Sequence, residues 1–372
     1  MQLIWLTQRY TPDKGGMAVS SARLVQGLRD QGHSVKVIHL THSSAQMAKS
    51  SLGNRHHSQR VITVNVDLAG GAEAVFWQLH KELESSLLIG FGGTLPGYLA
   101  CLWAQWLGTR SMVLLRGNDF EKRIHDLKQG WISHYILDHA DIVGCVSNEM
   151  TQRVKTMRSL PTVFTPNSID LDHWSFLDKD HEQSQAWRQS CHLNGKPVVG
   201  MVGQLKSKKG LDVAQALFST YGFGERACLL TVGDVPELEQ EQLRALGEQV
   251  YHHVPFLDAD HLPGYYAAMD AVLLPSYYDG MPNVLLESMA LGRLVVASKA
   301  GAMPDVIEHG VNGFLFEIGD YVDAGRALDQ ALSMDSAERD TMSNQARQTM
   351  RDGFTPAHEI DVIVSMLNRL KD

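Results

Sequence analysis

Cysteine is scarce in this chain, with four in 372 residues, at positions 101, 145, 191 and 228. No two form a CxxC pair and four cannot build a disulfide framework, which argues against a structural zinc site, a thiol redox centre and a stapled secreted scaffold. A reducing cytoplasm is the expected setting. A surplus of basic charge is also lacking. Lys and Arg total 33 against 42 Asp and Glu, a net charge of -9, so a dedicated duplex nucleic-acid binder is not expected. The opening MQLIWLTQRY has no basic region ahead of a long apolar segment and reads as a first strand rather than a secretion leader. None of the 17 histidines stands in HExxH spacing; His56-His57 and His252-His253 read as surface or strand-end pairs, and no metal is expected. Only Ser85 to Thr109 is a long uncharged run, enough for a bilayer crossing on count alone. Five glycines, Pro96 and Gln105 interrupt it, so strand, turn and core helix is the better reading. A segment resting on a membrane through Trp103 and Trp106 is the alternative.

Hydrophobic residues at 44% and charged residues at 20% make an ordinary globular mixture, and the length suits two domains. Short apolar runs alternate with amphipathic segments throughout, the pattern of parallel sheets wrapped by helices, so the fold class is α/β. In the first half, strands are expected at 3–6, 35–40, 61–66, 87–91, 112–115, 142–146 and 162–164. A helix carrying Ala18, Ala22, Val25 and Leu28 lies between the first two, closed by Gly32. From Asp170 to Lys196 the periodicity disappears. A second strand series follows at 198–202, 227–232, 250–254, 271–274 and 294–297, uninterrupted as expected for strands covered on both faces. The expected domains are 1–175, a linker at 176–196, 197–352, and a last helix at 353–372. Ile360, Ile363, Val364, Leu367 and Leu370 share one face of that helix, which should dock.

Open α/β sheets bind ligands outside the carboxyl ends of their strands, so the loops leaving strands are the informative ones. The strongest runs from Pro275 through Asp279, Gly280, Met281, Pro282 and Asn283 to Glu287 and Gly292. Its amides form an exposed helix start, suited to an anion or hydroxyl. Glu287 sits among Leu285, Leu286, Met289 and Ala290, where an unpartnered carboxylate would cost several kcal/mol, so it needs partners. Vicinal hydroxyls, as on a ribose, would serve; an Arg or backbone amide of its own domain would also do.

A second loop, Gly203, Gln204, Leu205, Lys206, Ser207, Lys208, Lys209, Gly210, suits a phosphate cradle or a solvated basic turn. A third, Pro12 to Met17, contains Gly15-Gly16 but lacks the third glycine of a dinucleotide fingerprint. The fourth is Ala300 to Asp305. Asp258 and Asp260 read as a helix cap, and the pairs Asp170/Asp172 and Asp178/Asp180 as exposed.

The segment DGMPNVLLESMALGRLVVAS, with GAMPDVIEHGVNGFLF after it, VGQLKSKKGLD and PNSIDLDHW before it, and more loosely Gly15-Gly16, LRGNDF and VGCVSNEM, resembles glycosyltransferase family 4. The resemblance implies the GT-B fold, two Rossmann-like domains facing across a cleft, with a last helix returning to the first domain. It implies a retaining, metal-independent glycosyltransferase that needs no cofactor and moves a sugar from a UDP- or GDP-linked donor to a glycan, lipid-linked or small-molecule acceptor. Glu287 would take the ribose hydroxyls, and Asp279 with the backbone of Gly280, Met281, Pro282 and Asn283, donating through the N–H groups of all but the proline, would face the donor sugar. Lys209 would bind the diphosphate beside Gly203 and Gln204, and Gly16 would let the first loop close over it. Arg116 and Asp119 are further catalytic candidates.

Three departures stand out: Asp279 where the family usually has Glu, Gln204 where it has Arg, and Arg116 where many members have His. Lys206 or Lys208 could replace the cation missing at Gln204. A nucleotide-sugar epimerase on the same fold and a non-catalytic nucleotide-sugar-binding or partner subunit are the rival readings. The expected location is the cytoplasm or the inner face of its membrane, with peripheral membrane contact as an option. Neither the acceptor nor an oligomeric state is written in the sequence.

Overall fold

The computed structural model describes residues 1–13, 15–41, 61–65, 71–84, 86–193 and 195–371; His56-His57 lies outside them. Two compact units emerge, Met1–Asn167 with Pro356–Asp372, and Ser168–Thr355. Unit 1 is built on β1 (Gln2–Thr7), β2 (Ser34–Thr41), β3 (Val61–Asn65), β4 (Leu87–Phe91), β5 (Ser111–Leu115), β6 (Ile142–Cys145) and β7 (Thr162–Phe164). They form one parallel sheet in the order β3-β2-β1-β4-β5-β6-β7. Unit 2 holds β8 (Val198–Gln204), β9 (Cys228–Asp234), β10 (Tyr251–Val254), β11 (Ala271–Leu274), β12 (Leu294–Ser298) and β13 (Phe314–Phe316). These also pair in parallel, ordered β10-β9-β8-β11-β12-β13.

Each unit is thus a doubly wound, Rossmann-like sheet, and the two together give the α/β GT-B fold. Strands such as β4, β5, β11 and β12 are buried end to end because helices cover both faces, which accounts for their unbroken apolar runs. Each sheet reverses its strand order at one place, between β1 and β4 in unit 1 and between β8 and β11 in unit 2. Ligand crevices open at such reversals.

The stretch 176–196, expected as a linker, folds as the helix Asp178–Ser190 of unit 2. It shows no apolar period because polar groups anchor it. Arg188 donates to the carbonyl of Ala268 at 2.7 Å, the carboxylate of Asp270 at 3.1 Å and the carbonyl of Lys196 at 2.8 Å. Asp180, expected to be exposed, is buried and accepts the Leu177 amide at 2.8 Å. The helix start needs that acceptor, so the carboxylate turns inward.

The uncharged run forms β4 and the helix Leu95–Leu107, with Trp103 buried and Trp106 exposed. No described helix is long and apolar enough to cross a membrane. The last helix, Pro356–Arg369, belongs to unit 1, where Ile360, Ile363, Met366 and Leu367 enter the core beside the helix Gly16–Asp30. Gly27 makes room: a Cβ there would lie 2.5 Å from Ile360 Cδ1.

Candidate functional site

In unit 2 the loops after β8 and β11 meet at the strand-order reversal. Gly210, at φ +73°, is where they touch; a Cβ there would stand 2.1 Å from the Pro275 carbonyl oxygen. The Tyr277 amide donates to the Lys208 carbonyl at 2.9 Å and ties the loops together. This contact delivers Lys209 to Asp279. The Lys209 ammonium donates to Asp279 Oδ2, while Asp279 Oδ1 accepts the Gly280 amide at 3.0 Å. The two side chains remain 23% and 13% exposed, a solvent-reachable pair rather than a core one.

The fourth loop braces this turn, since Ala302 donates its amide to the Gly280 carbonyl at 2.9 Å. Gly301 passes so close at φ +56° that a Cβ would lie 1.9 Å from the Asp279 carbonyl oxygen. Gly301→Ala should therefore cost roughly 2–4 kcal/mol in a urea titration, from overpacking plus the left-handed backbone, and should displace Asp279 as well.

The helix Asn283–Ala290 starts directly after Pro282, so its first amides lack intrahelical acceptors and carry the positive end of the helix dipole. Lys209, Pro282 and Val284 line one small recess with Pro275 and Ser276, which puts the Lys209 residue beside the helix start. Gly203, at φ +112°, lets β8 end beside Val284. Met281 and Gly280 are buried, and Asn283 is half-buried.

Glu287 stands one turn beyond Asn283 on this helix. Its Oε2 accepts the Tyr266 hydroxyl at 2.7 Å, and no described residue hydrogen-bonds its Oε1. Tyr266 is fully buried and edge-packed on Trp174, so the donor is fixed. Burial pushes the Glu287 carboxyl up to about 7, the Tyr266 hydrogen bond opposing part of that rise. Beside the carboxylate, burial drives the Tyr266 hydroxyl well above its ordinary range, so it stays a donor. Tyr266 was missed by sequence reasoning: it looks like one more member of an amphipathic run, and nothing in the pattern ties it to a residue 21 positions away.

Other expected groups lie differently. Gln204 is exposed at the end of β8, and Lys206 is exposed next to it. The Lys208 ammonium lies 5.2 Å above the Tyr278 ring. Asp258 occupies a helix-start position, but its side chain makes no capping bond. Among the described residues, no three His, Cys, Asp or Glu cluster as metal ligands.

In unit 1, Gly16 opens the first helix after Gly15 at φ +108°, and both are exposed. Asp119 accepts the Gly93 amide at 2.5 Å and the Arg116 amide at 3.0 Å; burial raises its carboxyl despite these bonds. The Arg116 guanidinium is turned inward. It donates to the Thr165 carbonyl at 3.2 Å and to Asn167, and lies 3.8 Å from Glu359, which Arg23 also holds at 2.8 Å. Burial lowers Arg116, with Glu359 as its main counter-charge. Across the β1/β4 reversal, the Thr94 hydroxyl donates to Gln8 at 2.7 Å.

Two family models match the chain, Glycosyltransferase Family 4 over residues 14–173 and Glycosyl transferases group 1 over residues 183–349. The N-acetyl-alpha-D-glucosaminyl L-malate synthase of Bacillus anthracis is 28% identical over 262 residues, 68% of this chain and 67% of that protein. The GDP-mannose-dependent alpha-mannosyltransferase of Corynebacterium glutamicum is 27% identical over 158 residues, 41% of this chain and only 37% of that protein. Among solved structures, Anabaena HepE in complex with UDP superposes with a TM-score of 0.76 at 20% identity, covering 99% of this chain and all of that one.

Proposed function

Given that the chain belongs to the family 4-type glycosyltransferases, we propose that it transfers a sugar from a nucleoside-diphosphate sugar with retention of anomeric configuration, using no metal ion or cofactor. The observation that carries this reading is the convergence of Lys209, Asp279 and the open start of the helix Asn283–Ala290 on one reversal point of the unit 2 sheet. Glu287 lies one turn further along with an oxygen free for hydroxyls. The diphosphate of the nucleotide sugar would rest on the helix start and the Lys209 ammonium, with the nucleoside's ribose diol on Glu287. UDP and GDP are the proposed carriers, in keeping with the UDP bound by Anabaena HepE and the GDP-mannose used by the C. glutamicum relative.

In the reaction, the bond from the anomeric carbon to the diphosphate breaks and one from the acceptor oxygen forms on the same face. The acceptor proton goes to a phosphate oxygen, and the electron pair stays on the departing diphosphate. Charge grows on that leaving group, so a fixed cation and fixed amides stabilise the transition state more than the ground state. Asp279 holds Lys209 in place before the donor arrives and then faces the sugar. Arg116 and Asp119 are read as positioning groups, because their polar atoms are spent on backbone and side-chain partners inside unit 1.

The test is to offer purified protein a panel of UDP-, GDP- and ADP-sugars in EDTA and measure release of nucleoside diphosphate, with NMR of the product anomer. Release with retention is expected. An isomerised donor without acceptor would instead favour an epimerase, and binding without turnover a non-catalytic subunit. The absence of both turnover and nucleotide binding would overturn the reading.

A further inference from the structure

We propose that unit 2 carries a second carbohydrate site, beside the donor cradle but separate from it. A cavity of about 490 Å³ opens between the start of the helix Leu211–Ser219, the start of the helix Glu237–Arg244 and the Tyr277-Tyr278 loop, a size common for small-molecule sites. Its floor is apolar, from Leu211 and Leu243, and the Tyr278 ring forms an exposed wall.

The polar groups around it are held ready by neighbours. Asp212 Oδ2 accepts the Tyr277 and Tyr321 hydroxyls, the latter at 2.8 Å, and Glu239 Oε1 accepts the Ser207 hydroxyl at 3.0 Å. Each carboxylate keeps its other oxygen without a hydrogen bond from a described residue, and the carboxamides of Gln215 and Gln242 likewise have none. Fixed carboxylates beside unengaged carboxamides, over an apolar floor, are a preorganised set of acceptors and donors.

The class of occupant follows by elimination. Anions are disfavoured because the lining carries two carboxylates, Asp212 and Glu239, against the one ammonium of Lys208. A purely apolar guest would strip water from two carboxylates with nothing in return. Among the described residues, no three metal-ligating side chains cluster here. A neutral saccharide meets every requirement, with hydroxyl edges for the acids and amides and a C–H face for Leu211, Leu243 and the tyrosine.

The site is distinct from the donor cradle because Lys209, Gly280, Asn283 and Glu287 are absent from its walls. It is nevertheless built from the same two loops: Lys208 and Tyr278 line the cavity while the next residues, Lys209 and Asp279, form the ion pair. Its occupancy does not depend on the proposed transfer reaction.

Saturation-transfer NMR of the full chain, without nucleotide, tests it with glucose, mannose, galactose, N-acetylglucosamine, maltose and glucuronate. Signal is expected from at least one neutral sugar, and little from glucuronate. It should survive saturating UDP and GDP and persist in Lys209→Ala. It should fall about tenfold in Gln215→Ala/Gln242→Ala, the scale of one or two neutral hydrogen bonds lost, and similarly in Tyr278→Ala. Those side chains are outside the core, so thermal melting should be unchanged. No signal from any sugar, a signal abolished by nucleotide, or a signal indifferent to both variants overturns the proposal. A missing donor site would show separately, as failure of nucleotide to bind the wild-type protein.

Discussion

Lys209→Ala should lower kcat by about 10²–10³-fold, the loss of roughly 3–4 kcal/mol expected when one fixed charge-stabilising group is removed from a transition state. Two effects would contribute, and they can be separated. Removing the ammonium deprives the leaving diphosphate of a cation. It also leaves Asp279 unpaired, a carboxylate 13% exposed whose charge would repel the same diphosphate. Asp279→Asn removes that second effect, because the amide carries no charge and its oxygen can still accept the Gly280 amide that now bonds to Oδ1. If Lys209 acts on the leaving group, the double variant Lys209→Ala/Asp279→Asn stays within about tenfold of the single Lys209→Ala variant. If Lys209 merely neutralises Asp279, the double variant recovers most of the rate. Initial rates of nucleoside diphosphate release across donor concentration decide between them. Exposed Gln204 makes the expected loss larger, since no cation at that position can substitute.

The candidate site in unit 2 is largely legible in the sequence because most of its residues lie at or soon after the ends of strongly patterned strands. Gly203 lies at the end of β8, Lys209 and Asp279 lie in the loops after β8 and β11, and Glu287 sits on the helix that the second loop enters, so the strand-exit rule points to this region without knowing the fold. What was hidden depends on contacts between distant segments. Gly301 bracing Asp279, Gly210 under Pro275 and Tyr266 beneath Glu287 involve single close approaches that leave no periodic signal. The strand β13 is not among the expected strands. Phe314–Phe316 is a three-residue edge strand that pairs in parallel with β12.

Polar packing concealed the helix Asp178–Ser190 in the same way. Its contact with the helix Leu262–Ala268 runs through Arg188, and also through Gln183, which sits over Gly264. A pattern search sees only a run of polar residues and reads a linker. Arg116 gives the complementary lesson. Its place in a familiar motif marked it as a catalytic candidate, yet Glu359, 243 positions further along the chain, is what sets its charge environment.

Glu287→Gln should weaken nucleotide binding by about 10–100-fold at pH 8, since hydrogen bonds from ribose hydroxyls to a carboxylate are each worth roughly 1.5–3 kcal/mol and the neutral amide accepts more weakly. The same change should stabilise the empty protein. The Glu287 carboxyl is raised from 4.5 to about 7 in the folded state. A raised carboxyl contributes stability below its unfolded pKa and loses it as pH climbs through the folded value, so the penalty grows between pH 4.5 and 7 and is constant above. It amounts to at most roughly 3 kcal/mol, which Glu287→Gln removes at pH 8 and leaves unchanged at pH 4.5.

The two effects share one cause, and nucleotide binding should reveal it as proton release. Ribose hydroxyls favour the ionised carboxylate, so binding to the wild type should expel up to one proton between pH 5 and 7, and affinity should fall by up to tenfold per pH unit below 7. Calorimetry in buffers of different ionisation enthalpy measures the released proton directly, and Glu287→Gln should abolish it. Tyr266→Phe removes the hydrogen bond that opposes the rise, so the acid limb should move to higher pH while binding at pH 9 stays nearly intact. An affinity profile that is flat from pH 5 to 8 in the wild type would place the diol somewhere other than Glu287.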